Sequence, residues 1–263
     1  MSIQKFSLAT IEKVRQYIRK TLLLPDSEQQ PQPSYDMSVD ELPEPESLDD
    51  LSGLFTFGGV ADADVGTPQV RDQWFVSTVN PAAALLKLPG LSLKSGFRLV
   101  SYLYRSEGSG VGVVWAVPEE LSSTAQLEKA LVSSTSLSQI PKPVGALSNF
   151  MEVIEGDRSP VSFIIASIFR RELQEFGALG QRCNWSHHQL VNAPPSEFKW
   201  QWRNAPPKDL APKVKLLDNG QAAVEFFTCC DQPSLVLYRH IDQYPAHHYK
   251  PQSLDQSVAT APD

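Results

Sequence analysis

Cysteine is scarce in this chain: Cys183, Cys229 and Cys230 are the only three in 263 residues. Three are too few for a disulfide framework, and the adjacent pair would point to opposite faces of a strand, so a reduced, cytoplasmic compartment is expected. Long apolar runs are lacking too. Nothing approaches the roughly 18 residues of a membrane span, and the opening MSIQKFSLATIEK has no apolar stretch before a small-residue cleavage site. Neither export by a recognisable signal nor membrane insertion is expected. Basic charge is not in excess, and a net charge of -7 argues against non-specific nucleic-acid binding, which draws its affinity from counterions released by a basic surface. Neither CxxC nor HxxxH occurs, so the sequence offers no zinc spacing, and no metal or cofactor is expected.

Charge is present but unevenly placed. Lys5, Lys13, Arg15, Arg19 and Lys20 stand against Glu12 alone in residues 1–20, whereas residues 21–70 hold eleven acidic residues and no Lys or Arg. The remainder is neutral overall, so the acidity belongs to an arm. Residues 1–24 contain an amphipathic helix, with Leu8, Ile11, Val14, Ile18 and Leu22 at helical spacing opposite basic positions. Such a helix suits its own domain, an anionic membrane or a partner's groove, and docking on its own domain is the commoner case. Residues 25–66 have the composition of an acidic, proline-containing linker, within which SLDDLSGLFTF is a candidate docking segment.

The 41% hydrophobic content is enough to give residues 67–243 a core. Within it, residues 97–105 and 111–117 form a hairpin loaded with apolar residues on both faces, which places both strands inside a sheet. Helices are expected over 118–132 and 160–176, the second with Ser159 as cap, Pro160 in its first turn and Gly177 past its end. Later strands follow at EFKWQWRN, where Phe198, Trp200 and Trp202 alternate with polar residues, around Asn219-Gly220 as a two-residue hairpin turn, and at 235–241. Residues 244–263 read as a disordered tail. The class is therefore α+β: a mainly antiparallel sheet built on the central hairpin, with helices packed on it. The order of two strands, helices and then three or more strands resembles that of PAS-type sensor domains, an analogy of topology that implies a pocket between sheet and helix.

Residues able to carry chemistry are few. The glycines around Ser109 form neither a nucleophile elbow nor a phosphate loop, and a hairpin turn explains them. Arg170, Arg171, Glu172 and Glu175 read as a solvated helix end, with Arg171 paired to Glu175. Arg105, His187, His188, Trp200 and Trp202 are the candidate contacts for a ligand or partner: a cation, two imidazoles close to Cys183, and two indoles on one strand face. The first expectation is a non-catalytic protein-binding, assembly or regulatory factor whose partner is another protein. The second is a small-molecule sensor or an enzyme with a pocket between sheet and main helix. A cavity lined by ionisable groups from separate elements would favour the second.

Overall fold

The computed structural model describes residues 1–29, 73–232 and 234–261. Most of the acidic linker at 25–66, SLDDLSGLFTF included, lies outside the described residues. The α+β class holds: twelve strands form three antiparallel sheets among the described residues, with helices packed between and beside them.

The largest sheet has seven strands. Its order runs β1 (Ser2–Lys5), β9 (Lys213–Leu216), β10 (Ala222–Cys230), β11 (Val236–Tyr244), β12 (Gln252–Thr260) and β8 (Gln201–Trp202), with β7 (His188–Val191) also paired to β10. β9 pairs the first half of β10 and β7 the second. The expected disordered tail is thus corrected: residues 252–260 form β12, joined along β11 from Val236↔Thr260 to Gln243↔Gln252. Its polar sequence hid it, because most of β12 is exposed and lacks the apolar alternation of a half-buried strand. The turn at Asn219-Gly220 is also corrected. Three residues, Asp218 to Gly220, span it, and only Gly220 is left-handed, as a type I turn closed by a bulge requires.

The hairpin forms as expected from β4 (Phe97–Ser106) and β5 (Ser109–Pro118), with Gly108 at φ 66° in the turn. It belongs, however, to a separate three-stranded sheet in the order β2 (Gln73–Val76), β4, β5. Only β4 is therefore internal. Among the described residues β5 is an edge strand, touched there by one bridge from Leu179 to Gly110. Its two apolar faces are covered by separate clusters and need no further strand: Val114 and Ala116 lie in the main core, while Val111, Val113 and Trp115 pack with Trp74 and Leu127. The hairpin strands β4 and β5 share no sheet with the strands that follow the main helix, so the PAS-like likeness stops at element order. A two-stranded ribbon, β3 (Leu91–Leu93) with β6 (Ile154–Gly156), completes the set.

Four α-helices are described: α1 (Leu8–Thr21), α2 (Asp26–Gln29), α3 (Thr124–Lys129) and α4 (Pro160–Gln174). The expected helix over 118–132 is broken into a 3-10 turn at Glu119–Leu121 and α3. The break falls at Ser122-Ser123, where Gln126 accepts from both the backbone and hydroxyl of Ser123 and starts a new helix. α4 begins at Ser159, whose hydroxyl accepts from the Ser162 backbone. Every residue from Ser162 to Leu173 is buried, because one core joins α4 to β4 and β5 on one side and to Val214, Val224 and Phe226 of the large sheet on the other. α1 lies against α4 with Ile11 and Ile18 in the same core, so its apolar stripe is used within the chain.

Gly112 of β5 marks the closest approach of hairpin and helix. A Cβ there would come within 2.4 Å of the Phe176 carbonyl and 2.9 Å of Leu103. Gly112→Ala is expected to lower stability by about 2 to 3 kcal/mol, as overpacking against backbone does; chemical denaturation of the full chain measures it.

Candidate functional site

Charged residues gather where the C-terminal half of α4 meets the large sheet, and each arrives by simple periodicity. On β11, Tyr238, His240, Asp242 and Tyr244 share one face because side chains alternate along a strand. On β10, Phe226 and Thr228 share it. Across the sheet, His188 of β7, Thr228 of β10, His240 of β11 and Asp255 of β12 supply one polar side chain from each of four neighbouring strands, with His240 and Asp255 directly paired in register.

These four are hydrogen-bonded in series. His188 Nδ1 lies 2.7 Å from Thr228 Oγ1, Thr228 Oγ1 lies 2.7 Å from His240 Nε2, and His240 Nδ1 lies 2.7 Å from Asp255 Oδ1. The Asp255 carboxylate only accepts, so His240 carries its proton on Nδ1 and its Nε2 accepts from the Thr228 hydroxyl. That hydroxyl has one proton, so its oxygen accepts the other bond from His188 Nδ1–H. With both rings neutral, His188 is thereby fixed as the tautomer with a bare Nε2. Among the described residues nothing bonds that nitrogen, and His188 lines a cavity of about 340 Å³.

Helix α4 anchors the assembly from the other side. Asp242 is fully buried, accepts from Arg171 and lies 3.1 Å from Arg170 Nη2, while Arg171 Nη2 reaches Asp255 at 2.8 Å. Burial opposes charge on Asp242 and Asp255. For Asp242 the Arg171 guanidinium outweighs it, and for Asp255 the His240 hydrogen bond and Arg171 do, so both stay below the usual carboxylate range. The expected solvated helix end is therefore corrected: Arg170, Arg171 and Glu172 are buried, and Arg171 pairs with Asp242 and Asp255 instead of Glu175. Glu175 has another task. Its carboxylate accepts from the backbone of Asn184, from Trp185 at 2.5 Å and from Ser186 at 2.5 Å, capping the 3-10 turn Trp185–His187.

Two further groups hold the same turn. Glu172 accepts from Trp185 Nε1 at 2.6 Å, from Arg15 at 2.6 Å and from Arg19 at 2.9 Å. Arg15 of α1 also donates to the carbonyls of His188 and, at 2.8 Å, Trp185. The Trp185 indole sits near two guanidiniums, 4.6 Å from Arg15 and 5.7 Å from Arg171. The segment carrying His188 is thus held by α1, α4 and β10 together.

Of the five residues singled out from the sequence, only His188 enters this network. His187 lies beside it in the 3-10 turn but outside the cavity lining, as neighbouring side chains diverge. Arg105 is 1% exposed on β4 and donates to the carbonyls of Glu28, Tyr104 and Gly177, tying α2 and the end of α4 to the hairpin; burial pushes it down to about 10 against the pull of Glu28. Trp200 and Trp202 pack with Leu210, Phe227, Leu237 and Ala259 on the sheet face opposite α4, and only Gln201–Trp202 of EFKWQWRN forms strand. Arg171 and Glu172 are read from the sequence as part of a solvated helix end, and Arg15, Thr228, His240, Asp242 and Asp255 are not among the candidate contacts. A readable signal existed for β11, where Tyr-x-His-x-Asp-x-Tyr at 238–244 is polar on the inward face.

The cavity is lined by Arg171, Gln174 and Glu175 of α4 and its cap, Trp185 and His188, Tyr238 and His240 of β11, and Asp255 of β12, with Val111 and Gly112 of β5 closing it. Among the described residues no group of three or more His, Cys, Asp or Glu is arranged to hold a metal. Both nitrogens of His240 are already bonded. The arrangement therefore offers a hydrogen-bond acceptor at His188 Nε2, a half-exposed carboxylate and two aromatic walls.

Burial, with His240 and Arg15 adding to it, lowers His188 from 6.5 to about 4. Arg171 also opposes its protonation, and Asp255 favours it. As pH falls, the unfolded chain therefore takes up this proton before the folded one does. Stability is expected to be full above pH 6.5 and to decline between 6.5 and about 4. The loss is up to about 3 kcal/mol before screening by water in the cavity. Denaturation at a series of pH values measures it, and His188→Gln flattens that window. Asp242→Ala, which leaves two buried guanidiniums without their carboxylate, is expected to cost about 3 to 5 kcal/mol at pH 7 by the same assay.

Among the described residues no helix is long and apolar enough to cross a membrane. No protein-family profile, no curated protein and no solved structure matches this chain, so the site stands on its own geometry.

Proposed function

We propose that this protein binds a small polar molecule in the cavity between the end of α4, β5 and the large sheet, and that the molecule donates an O–H or N–H to His188 Nε2. The observation that carries this reading is the bare Nε2 of a buried neutral imidazole facing a cavity, with its tautomer set by three successive hydrogen bonds. The ring is buried, but Nε2 is not among the side-chain atoms cut off from solvent without a partner, so a molecule in the cavity can reach it. A water in the cavity can occupy the acceptor when the ligand is absent. Ionisable groups from α4, β11, β12 and the 182–188 segment converge on the cavity, which is what small-molecule sites supply and what a merely structural core avoids. Trp185 and Tyr238 provide flat apolar surface, so the occupant combines a planar or apolar part with its donor.

The test is a thermal-shift screen of the full chain against small alcohols, amides, amines and heterocycles, followed by NMR observation of the His188 imidazole. At least one donor compound is expected to raise the melting temperature and move the His188 Nε2 signal. Both effects should disappear in His188→Phe, which fills the acceptor position with carbon. If no compound moves that signal, the reading is wrong.

A further inference from the structure

The series His188, Thr228, His240, Asp255 has two polarities that satisfy every internal hydrogen bond, and they differ by one proton. In the first, described above, both imidazoles are neutral and His188 Nε2 is bare. In the second the two bonds to Thr228 are reversed and the one to Asp255 is kept: His240 carries protons on both nitrogens and donates to Thr228 and Asp255, Thr228 donates to His188 Nδ1, and His188 carries its proton on Nε2. We propose that His188 is a general base which takes a proton from the molecule bound in the cavity, and that the resulting charge comes to rest on His240 beside Asp255. This rests on the binding reading above for its substrate, a small polar molecule with a weakly acidic proton.

The transfer balances in three moves. His188 Nε2 takes the substrate proton, leaving the substrate with one more negative charge. The Nδ1 proton of His188 passes to Thr228 Oγ1, and the proton already on Thr228 passes to His240 Nε2. No bond other than these changes, and His188 ends neutral.

Electrostatics says why the charge moves. An imidazolium at His188 lies near the Arg15 and Arg171 guanidiniums and is buried, all of which oppose it. At His240 burial is the largest effect and with Arg171 holds the ring below its ordinary value, but the Asp255 carboxylate is bonded directly to the ring, and Asp242 adds attraction from the same strand. Arg171 faces both rings and is itself matched by Asp242 and Asp255. The two imidazoles are linked through one hydroxyl at 2.7 Å on each side, so the proton needs no rearrangement of heavy atoms. In this scheme His188 is the catalytic residue, and Thr228, His240 and Asp255 are positioning residues that set where its proton goes.

The first arm of the test follows the ring nitrogens of His188 and His240 by 15N NMR while the full chain is acidified from pH 7. The first proton taken up by the pair is expected on His240, with His188 switching from the Nδ1–H to the Nε2–H tautomer in the same step. In Thr228→Val the switch is lost and the rings titrate separately. In Asp255→Asn the midpoint falls by at least one pH unit. If His188 becomes the imidazolium first, or keeps its Nδ1–H tautomer throughout, the relay is overturned; a purely structural network would give that result. The wild-type titration decides this even where a variant does not fold.

The second arm uses 5-nitrobenzisoxazole, whose ring opens by N–O cleavage when its C–H proton is removed. The protein is expected to open it at least ten times faster than the same concentration of free imidazole, and His188→Gln to abolish the excess. A rate equal to that of free imidazole overturns the general-base assignment. A tautomer switch without any small molecule moving the His188 signal would instead mean that the relay is right and the binding reading wrong.

Discussion

A carboxylate with no exposed surface, Asp242, holds the centre of this fold because two guanidiniums from the next layer reach it. Removing a carboxylate from water is costly, and only well-placed cations with hydrogen bonds offset the cost. The register of α4 on the large sheet is fixed by that requirement: Arg170 and Arg171 must both face β11, so the helix can neither slide nor rotate without exposing a buried charge to apolar neighbours. From this one constraint follow the seat of Glu172 under Trp185, the reach of Glu175 to the turn behind it, and the position of Asp255 beside His240. The apolar core supplies the bulk of the burial, but apolar contacts alone tolerate small shifts. The buried charges do not.

Wrapping α4 on all sides has a second effect. An amphipathic helix at a surface has one face for the core and one for water, whereas α4 is enclosed between the hairpin sheet, the large sheet and α1. Its polar residues therefore have nowhere to go except to partners within the protein. That is why its last turns carry a connected network where a surface helix would carry scattered ion pairs, and why α1, read alone as a candidate for a membrane or partner surface, is the third wall of this enclosure.

Much of the fold was legible because local chemistry and tertiary structure agree there. Ser159, Pro160 and Gly177 bound α4, and the hairpin closes at Gly108. What was not legible depended on partners distant in the chain. Nothing in GQRCNWSHHQL shows that Arg15 will bond the His188 carbonyl, and nothing in RREL shows that its charges are inward, since Ile-rich and Arg-rich stretches of one helix look like a buried half followed by an exposed half. β12 was missed for a related reason: a strand with polar residues on both faces carries no period-2 hydrophobic signal, although one of those polar residues, Asp255, completes the site. Of the candidate residues, His188 was found by residue type alone; its three partners follow from register, which sequence spacing does not reveal.

The residues that meet around the cavity come from α1 near the beginning of the chain and β12 near the end of its described part, with α4, β7, β10 and β11 between. Contacts so far apart form late, because a long stretch of polypeptide must already be ordered before they repay the entropy of closing it. During synthesis, His188 and Thr228 emerge from the ribosome long before Asp255 does. The polar assembly is consequently incomplete until β12 is in place, and a nascent or clipped chain lacking β12 would keep much of its apolar core while carrying two imidazoles without Asp255 to orient them.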